Sequence, residues 1–452
     1  MPPTSGPRPK RHVPFTNWAK TFHCIPACTF QPKTEEEVLQ IIAQARQEGR
    51  RVRAVGSGHS PSDLTLTRDY LVKTDLLNRL ISVDSSTRQV TVEAGMTLHS
   101  LHRHLQDHGL SLPNLGSISD QSVAGIIATA THGTGVNFGV LSTLVVGMRL
   151  LTTSGPMDLS PTHHSDIFSA AKCHLGCLGI VTRATLQCEP AFQLDASHTL
   201  LPLTQALDQW DALVRADEHV RFWWFPYTDT CLVWKAHRVY NQSPVPRTSH
   251  WLWDSKPGYH LHQTMLYLLR CSPSLIPAFT RWYSSVIGRE VGISHEVFNF
   301  DCLFPQYVNE WAVPLDRAPE ALKKLRAWVD ASEERVHFPV EVRFGAPDDI
   351  WLSPAYGRPS CWIGIIMYRP YGRPVPYHRY WKAYEEIMRA CEGRPHWAKA
   401  HPMAYEELRS LYPKLDDFSR VRRAVDPEGM FLNAYMGRHL VPGGQGGIGS
   451  KL

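Results

Sequence analysis

Apolar positions in 34-TEEEVLQIIAQARQEG-49 recur at helical spacing, with Val38, Ile41, Ile42 and Ala45 on one face. Thr34 suits the N-cap, Glu37 completes a capping box, and Gly49 supplies the stop. Past Gly49 the period drops to two, and Val52 and Ala54 run as a strand into 56-GSGHS-60. Short β-like runs follow at 70-YLVKT-74, 80-LISVD-84 and 89-QVTVEAG-95. A second helix is predicted from Thr97 to about His108, with Leu98, Leu101 and Leu105 as its core stripe and Gly109 as its end. Residues 141–155 and 179–190 read as strand with turn. Strands and helices alternate without regular βαβ spacing, which predicts an α+β fold.

After Pro190 the texture changes, and a domain boundary is placed near it. Aromatic residues gather in 221-RFWWFPY-227, helices are predicted at 318–331 and 378–392, and 339-PVEVRFGAPDD-349 alternates apolar and charged residues. Val340, Val342 and Phe344 would form the apolar face of that strand, Glu341 and Arg343 the other.

Charge and composition narrow the class. The 452 residues carry 47 Lys and Arg against 42 Asp and Glu, a net charge of +5 with one basic cluster at Arg8, Lys10 and Arg11, which argues against nucleic acid. Ten cysteines are too few for a disulfide scaffold; the pairs Cys24/Cys28 and Cys173/Cys177 lack the rest of a zinc site and read as reduced core thiols. The first residues hold no apolar run of a secretory signal, so an intracellular protein is expected. Gln121 to Met148 is uncharged but rich in Thr, Gly and His, as buried backbone beside a ligand would be. Pro257 to Leu269 is uncharged, apolar and too short to span a bilayer, yet suited to a membrane surface.

Four features invite chemistry. The 56-GSGHS-60 loop has the glycines of a phosphate cradle without the third glycine of a dinucleotide fingerprint. A second glycine-rich stretch, 113-PNLGSISDQSVAGIIATATHGTG-135, supplies small and hydroxyl side chains, and two such loops suit a long diphosphate ligand. Glu341 and Arg343 are either a sheet-surface ion pair or a hydroxyl-binding, oxygen-polarising pair. In 393-GRPHWAKAH-401 a lysine beside an aromatic and histidines is suited to stabilising negative charge. Against these, His99, His102, His104 and His108 on the second helix lack a carboxylate or thiolate to complete a metal set and read as a solvated face; no metal site is expected.

Taken together, AVGSGHSPSD, VTVEAG, LGSISDQSVAG, THGTG, HLGCLGI, PVEVRF, DDI-LSP, IIMYRPYG and GRPHWAKAH, running from 17-NWAKTF-22 to 430-MFLNAY-435, resemble the aldonolactone oxidases of the vanillyl-alcohol-oxidase-type flavoproteins. The resemblance implies an FAD-binding domain of two subdomains at 15–190, a substrate (cap) domain with an antiparallel sheet at 191–410, a segment at 411–440 returning to the first domain, and tails at 1–14 and 441–452. It implies FAD linked covalently to His59, with Gly56, Ser57, Gly58 and Ser60 cradling its diphosphate. Gly116, Ser117, Ser122, Val123, Ala124, Gly125, Thr129, Ala130, Thr131 and His132 would wrap the cofactor, Ile180 and Val181 would meet its adenine half, and His396 would add a further contact. Glu341, Arg343 and Lys399 match catalytic positions: Arg343 to stabilise oxyanion charge, Glu341 to orient the pair and bind hydroxyls, Lys399 to lie at the flavin edge or the reacting hydroxyl.

The implied reaction oxidises an aldono-1,4-lactone (L-gulono- or D-arabinono-) at C2, with oxygen as acceptor, to ascorbate or erythroascorbate and hydrogen peroxide. A dehydrogenase using a cytochrome or other acceptor, and a non-catalytic flavin- or metal-binding protein, are the alternatives. The resemblance also implies attachment to the surface of an internal membrane, endoplasmic reticulum or mitochondrial. Family dehydrogenases carry alanine at the position of Gly116, where a methyl group would block oxygen; the competing reading is that Gly116 serves a turn with positive φ.

Overall fold

The computed structural model describes residues 7–246, 255–283, 289–299 and 304–443; most of the two expected tails, 1–6 and 444–452, falls outside them. Strand β1 (Lys10–Arg11), β2 (Cys28–Phe30), β3 (Val52–Val55) and β4 (Tyr70–Lys73) form a first sheet in the order β1-β2-β4-β3, with β4 parallel to both its neighbours. Helix α1 (Glu35–Gln47) lies between β2 and β3 in the chain. Thr34 Oγ1 accepts from the Glu37 N–H at 3.3 Å, and Val38, Ile41, Ile42 and Ala45 are buried as their spacing requires. The Glu37 carboxylate accepts from the Lys33 N–H at 2.6 Å, one residue earlier than a standard capping box.

The second sheet is antiparallel, in the order β8-β7-β9-β6-β5, built from β5 (Leu80–Asp84), β6 (Gln89–Glu93), β7 (Val145–Thr152), β8 (Gly155–Leu159) and β9 (Ile180–Gln187). Between β6 and β7 the chain forms α2 (Leu98–Asp107) and α3 (Val123–Ala128). The short α3 falls in the stretch read as a glycine-rich loop; Ser122 caps it, its Oγ accepting from the Gly125 N–H at 3.3 Å. Buried Glu35 ties α1 to the second sheet by accepting from Thr182 Oγ1 at 2.6 Å, Arg183 at 2.9 Å and Arg149 at 3.1 Å.

A third, eight-stranded antiparallel sheet begins at Gln193 and runs β13-β10-β12-β11-β15-β16-β14-β17. Its strands are β10 (Gln193–Pro202), β11 (His219–Phe225), β12 (Thr230–Val239), β13 (Arg289–Ile293), β14 (Gln306–Pro314), β15 (Val340–Gly345), β16 (Ser360–Tyr368) and β17 (Arg394–Pro395). One face of the central strands is apolar: Trp311, Val340, Val342, Phe344, Ile363 and Ile365 share a core with Leu322, Leu325 and Val329, on the helix Ala318–Ala331, and with Tyr384 and Met388, on the helix His378–Ala390. The other face carries Glu310, Glu341 and Arg343. The C-terminal segment closes on the first sheet: the Val52 N–H donates to Met430 O at 2.9 Å, Asn433 Nδ2 to Leu64 O at 2.9 Å, and Arg438 pairs with Asp63 at 2.7 Å.

Residues Lys256–Leu269 form a helix, α4, that leaves Leu261, Tyr267 and Leu268 exposed, with exposed Leu275 and Tyr371 on the neighbouring turns. No helix among the described residues is long and apolar enough to cross a membrane. All the described cysteines are free thiols.

One reading of α2 is corrected. Its histidines do not share a solvated face, because His102 is 3% exposed and stacks on His295 with ring centroids 4.7 Å apart. That burial, with the neighbouring His295 and His99, holds His102 down at about 3. Buried His174 and His219 are likewise held at about 3 and about 4, from an ordinary value of 6.5. A group whose folded pKa is depressed binds more protons in the unfolded chain between the two values, so acid favours unfolding there. The thermal midpoint is therefore expected to fall steadily as pH is lowered from 7 towards 4. A midpoint that stays flat through this window in differential scanning fluorimetry contradicts the neutral, buried assignment.

Candidate functional site

The two glycine loops meet edge to edge. A side chain at Gly56 would overlap Ser122 Oγ, so glycine there is a matter of close approach between the loops. Gly58 has φ +70°, a left-handed conformation that turns the chain into His59. The loop is clasped by the N-terminal segment: Trp18 N–H donates to Gly58 O at 2.9 Å and Asn17 Nδ2 to Ser60 O at 3.0 Å. Trp18 also stacks on the His59 ring, centroids 5.4 Å apart.

His59 faces a cavity that the two loops share with the third sheet. Its Nδ1 is buried and has no hydrogen-bond partner among the described residues. Burial, with a smaller contribution from Lys399, moves its pKa below the ordinary 6.5, so at neutral pH the ring is an uncharged imidazole with a lone pair to offer. Such a nitrogen suits covalent attachment to an electrophilic carbon, and the glycine-lined walls around it suit a flat, extended cofactor.

Most residues singled out in the sequence line this one cavity: Gly56, Ser57, Gly58, His59, Ser60, Gly116, Ser117, Ser122, Ala124, Gly125, Thr129, Thr131, His132, Ile180, Val181, His396, Glu341, Arg343 and Lys399. Val123 and Ala130 do not; both belong to the hydrophobic core beneath the loops. The apolar face that packs α3 requires Val123, and Ala130 takes φ +50° where the chain leaves the helix. Gly116 is absent from the positive-φ glycines, and a methyl group there would meet its nearest atoms at 3.5 Å, in ordinary contact. The turn reading of Gly116 therefore has no conformational basis.

Register on the third sheet sets the charged groups. Glu341 and Arg343 alternate onto the cavity face of β15; Glu341 is opposite Gly364 on β16, which is opposite Glu310 on β14. Of the two glutamates, Glu310 is nearer to Arg343, at 2.7 Å, whereas Glu341 lies at 3.6 Å. The expected pairing of Glu341 with Arg343 is present, but the nearer glutamate is the cross-strand one, which spacing along a single strand does not reveal. Glu310 also takes His132 Nε2 at 3.2 Å and Lys399 Nζ at 3.7 Å. Burial alone would push its carboxyl up, but Arg343, His132 and Lys399 together hold it well below the usual range, so it is ionised. Glu341 keeps an open oxygen: Oε1 is buried and without a hydrogen-bond partner among the described residues.

The histidines complete the wall. His132 lies flat on Trp362, centroids 4.1 Å apart, and its Nδ1 is 3.0 Å from Gly133 O. Burial, reinforced by Arg343, holds it at about 4, so at neutral pH it carries one proton and donates to one of its two oxygen neighbours. His396 Nδ1 accepts from the Ala398 N–H at 3.1 Å, which fixes a neutral ring with its proton on Nε2. His132, Glu310 and His396 place one potential ligand atom each within 4.8 Å of one another. Those types suit a transition metal, but Arg343 and Lys399 already lie against the one carboxylate, and a divalent cation would be opposed by both. A further residue that the sequence reading missed is Arg53, buried at the cavity wall, its guanidinium donating to Leu175 O at 2.6 Å and Gly176 O at 3.1 Å. Its place on the strand entering the glycine loop was the available signal.

The D-arabinono-1,4-lactone oxidase family matches residues 184–439, and the FAD-binding domain family matches 26–157. L-gulonolactone oxidase from Scyliorhinus torazame is 44% identical over 93% of this chain and 97% of its own length. L-gulono-1,4-lactone dehydrogenase from Mycobacterium tuberculosis is 36% identical over 95% of this chain and 99% of its own. Among solved structures, cholesterol oxidase from B. sterolicum superposes with a TM-score of 0.84, covering 98% of this chain and 99% of that one; at 16% identity it speaks for the fold alone. The fold is thus the α+β architecture of the FAD-binding oxidases with an antiparallel cap sheet, and the chain belongs to the aldonolactone oxidases, FAD-dependent oxidoreductases that act on sugar lactones.

Proposed function

We propose that this chain oxidises the C2 carbinol of an aldono-1,4-lactone, L-gulono- or D-arabinono-, and passes the electrons to molecular oxygen, yielding hydrogen peroxide and, as sugar product, ascorbate or erythroascorbate. The observation that carries the reading is one cavity holding both an unpartnered, neutral His59 nitrogen and a desolvated set of Glu310, Glu341, Arg343 and Lys399. In this reading FAD is joined to His59, held by the two glycine loops, and when bound supplies the hydride acceptor. Residues 15–190 with 411–440 serve the cofactor and 191–410 the substrate.

The chain's own groups divide the remaining work. Glu341 Oε1, an acceptor without a partner among the described residues, binds a lactone hydroxyl and receives the proton released as C2 is oxidised. Arg343 and Lys399 stabilise the negative charge that develops on the C2 oxygen. Glu310 meets the cations from behind and fixes where they point, a positioning role rather than a direct one. The apolar side chains exposed on and beside α4, in a segment from Ser255 to Arg281 that lacks any Asp or Glu, are the surface of this reading that would lie against a membrane.

Denaturing the purified protein in acid should leave flavin fluorescence on the polypeptide. His59→Ala should fold, lose its FAD on denaturation and retain little activity; acid-stable flavin in that variant would sink the attachment site.

Arg343→Lys keeps the charge but loses the planar fork, and should cost on the order of 3 kcal/mol of transition-state stabilisation, roughly a hundredfold in kcat. Glu310→Gln should also lower kcat more than it raises KM, and combining it with Arg343→Lys should cost little beyond the arginine change alone. Additive losses in the double variant would mean that Glu310 does not act through Arg343.

Gly116→Ala tests the acceptor. Bleaching by lactone should remain fast in stopped flow while reoxidation by oxygen slows by orders of magnitude, with dye-coupled turnover kept. An unchanged reoxidation rate would remove the reason for preferring oxygen to a protein acceptor.

A further inference from the structure

Gly364 lies in the middle of β16, where glycine weakens a strand and needs a reason. The usual reasons are absent. Its φ is outside the left-handed region, and a Cβ built on it would meet nothing closer than 3.7 Å. Other glycines of the same sheet differ. A Cβ at Gly345 would strike the Trp362 ring at 2.5 Å, and one at Gly292 would press on Val297 at 3.2 Å. The fold would accept a side chain at Gly364, yet none is there.

The position explains the vacancy. Gly364 is the cross-strand neighbour of both Glu310 and Glu341, and it lines the cavity between them. The nearest atoms to its missing side chain are Glu310 Oε1 at 3.7 Å and Glu341 Cβ at 3.8 Å. Beside it stands Glu341 Oε1, buried and without a hydrogen-bond partner among the described residues. Bare backbone therefore forms the floor of a slot with a carboxylate on each side, one saturated by cations and one open.

We infer that Gly364 is a substrate-binding position, its missing side chain making the slot in which a flat, polyhydroxylated lactone ring lies against β16 with a hydroxyl on Glu341. The inference rests on the lactone reading above. The ring is common to the six- and five-carbon lactones, so the slot accepts both, and a side chain at this position narrows it for both alike.

Gly364→Ala and Gly364→Val test this, with KM and kcat for L-gulono-1,4-lactone and D-arabinono-1,4-lactone, FAD content and thermal midpoint measured on each. Gly364→Ala is expected to keep its FAD and hold or raise its midpoint, because alanine restricts the unfolded chain. Its KM should rise about tenfold for both lactones, and that of Gly364→Val on the order of a hundredfold, as methyl-sized changes in a substrate pocket do. A lowered midpoint or lost flavin in Gly364→Ala would make the glycine structural and overturn the inference. So would a KM within twofold of wild type in Gly364→Val. Failure of the unaltered chain to bleach with either lactone would instead sink the functional reading itself, and this inference with it.

Discussion

Glu310, Glu341, Arg343 and Lys399 share one cavity, and burial makes any imbalance among them expensive. Glu310 resolves this. It sits on β14, the next-to-last strand of an eight-stranded sheet, is itself 3% exposed, and meets Arg343, Lys399 and a histidine from three separate parts of the chain. Because it is saturated, Glu341 is left with an open acceptor oxygen. One glutamate holds the cations in place, and the other keeps an acceptor oxygen without a partner among the described residues.

The charged row depends in turn on the seam between the glycine loops and the cap sheet. Arg343 Nη1 donates to Ser117 Oγ at 3.3 Å, so an arginine of the cavity floor also touches the second glycine loop. His219 Nδ1 is 2.9 Å from Thr134 O, and the Thr134 hydroxyl donates to Val220 O. The second glycine loop and the third sheet are therefore joined by direct hydrogen bonds. Gly56 and Ser122 bring the two glycine loops into close approach as well.

Much of this was legible one element at a time. The spacing of Val38, Ile41, Ile42 and Ala45 settles α1, and the alternation around Glu341 and Arg343 settles which face of β15 is polar. The stretch 306-QYVNEWAVP-314 hid Glu310, because an acid among apolar and amide residues announces nothing until β14 is brought beside β16. Likewise His102 follows the buried Leu101 on α2, and its burial depends on His295, a residue of the cap region that no local pattern on α2 could supply. Ser122 looked like one more small loop residue until Oγ was seen to cap a helix. Local periodicity is written in the sequence, whereas partners supplied by distant strands are not.

The loop from Pro61 to Leu66 follows directly on the one that carries His59, and it is pinned by the far end of the chain. Asn433 reaches Leu64 O across 369 residues of sequence, and Arg438 reaches Asp63 across 375. Contacts this distant form late, since the intervening chain must be ordered before they repay their closure entropy. Synthesis from the N-terminus thus delivers the loop at 61–66 well before the residues that pin it, whereas the glycine loop before it already has its Asn17 and Trp18 clasp. The wall beside His59 is in consequence complete only once residues 433–438 have docked, so a part of the chain remote in sequence sets the final form of a pocket that mostly lies in the first domain.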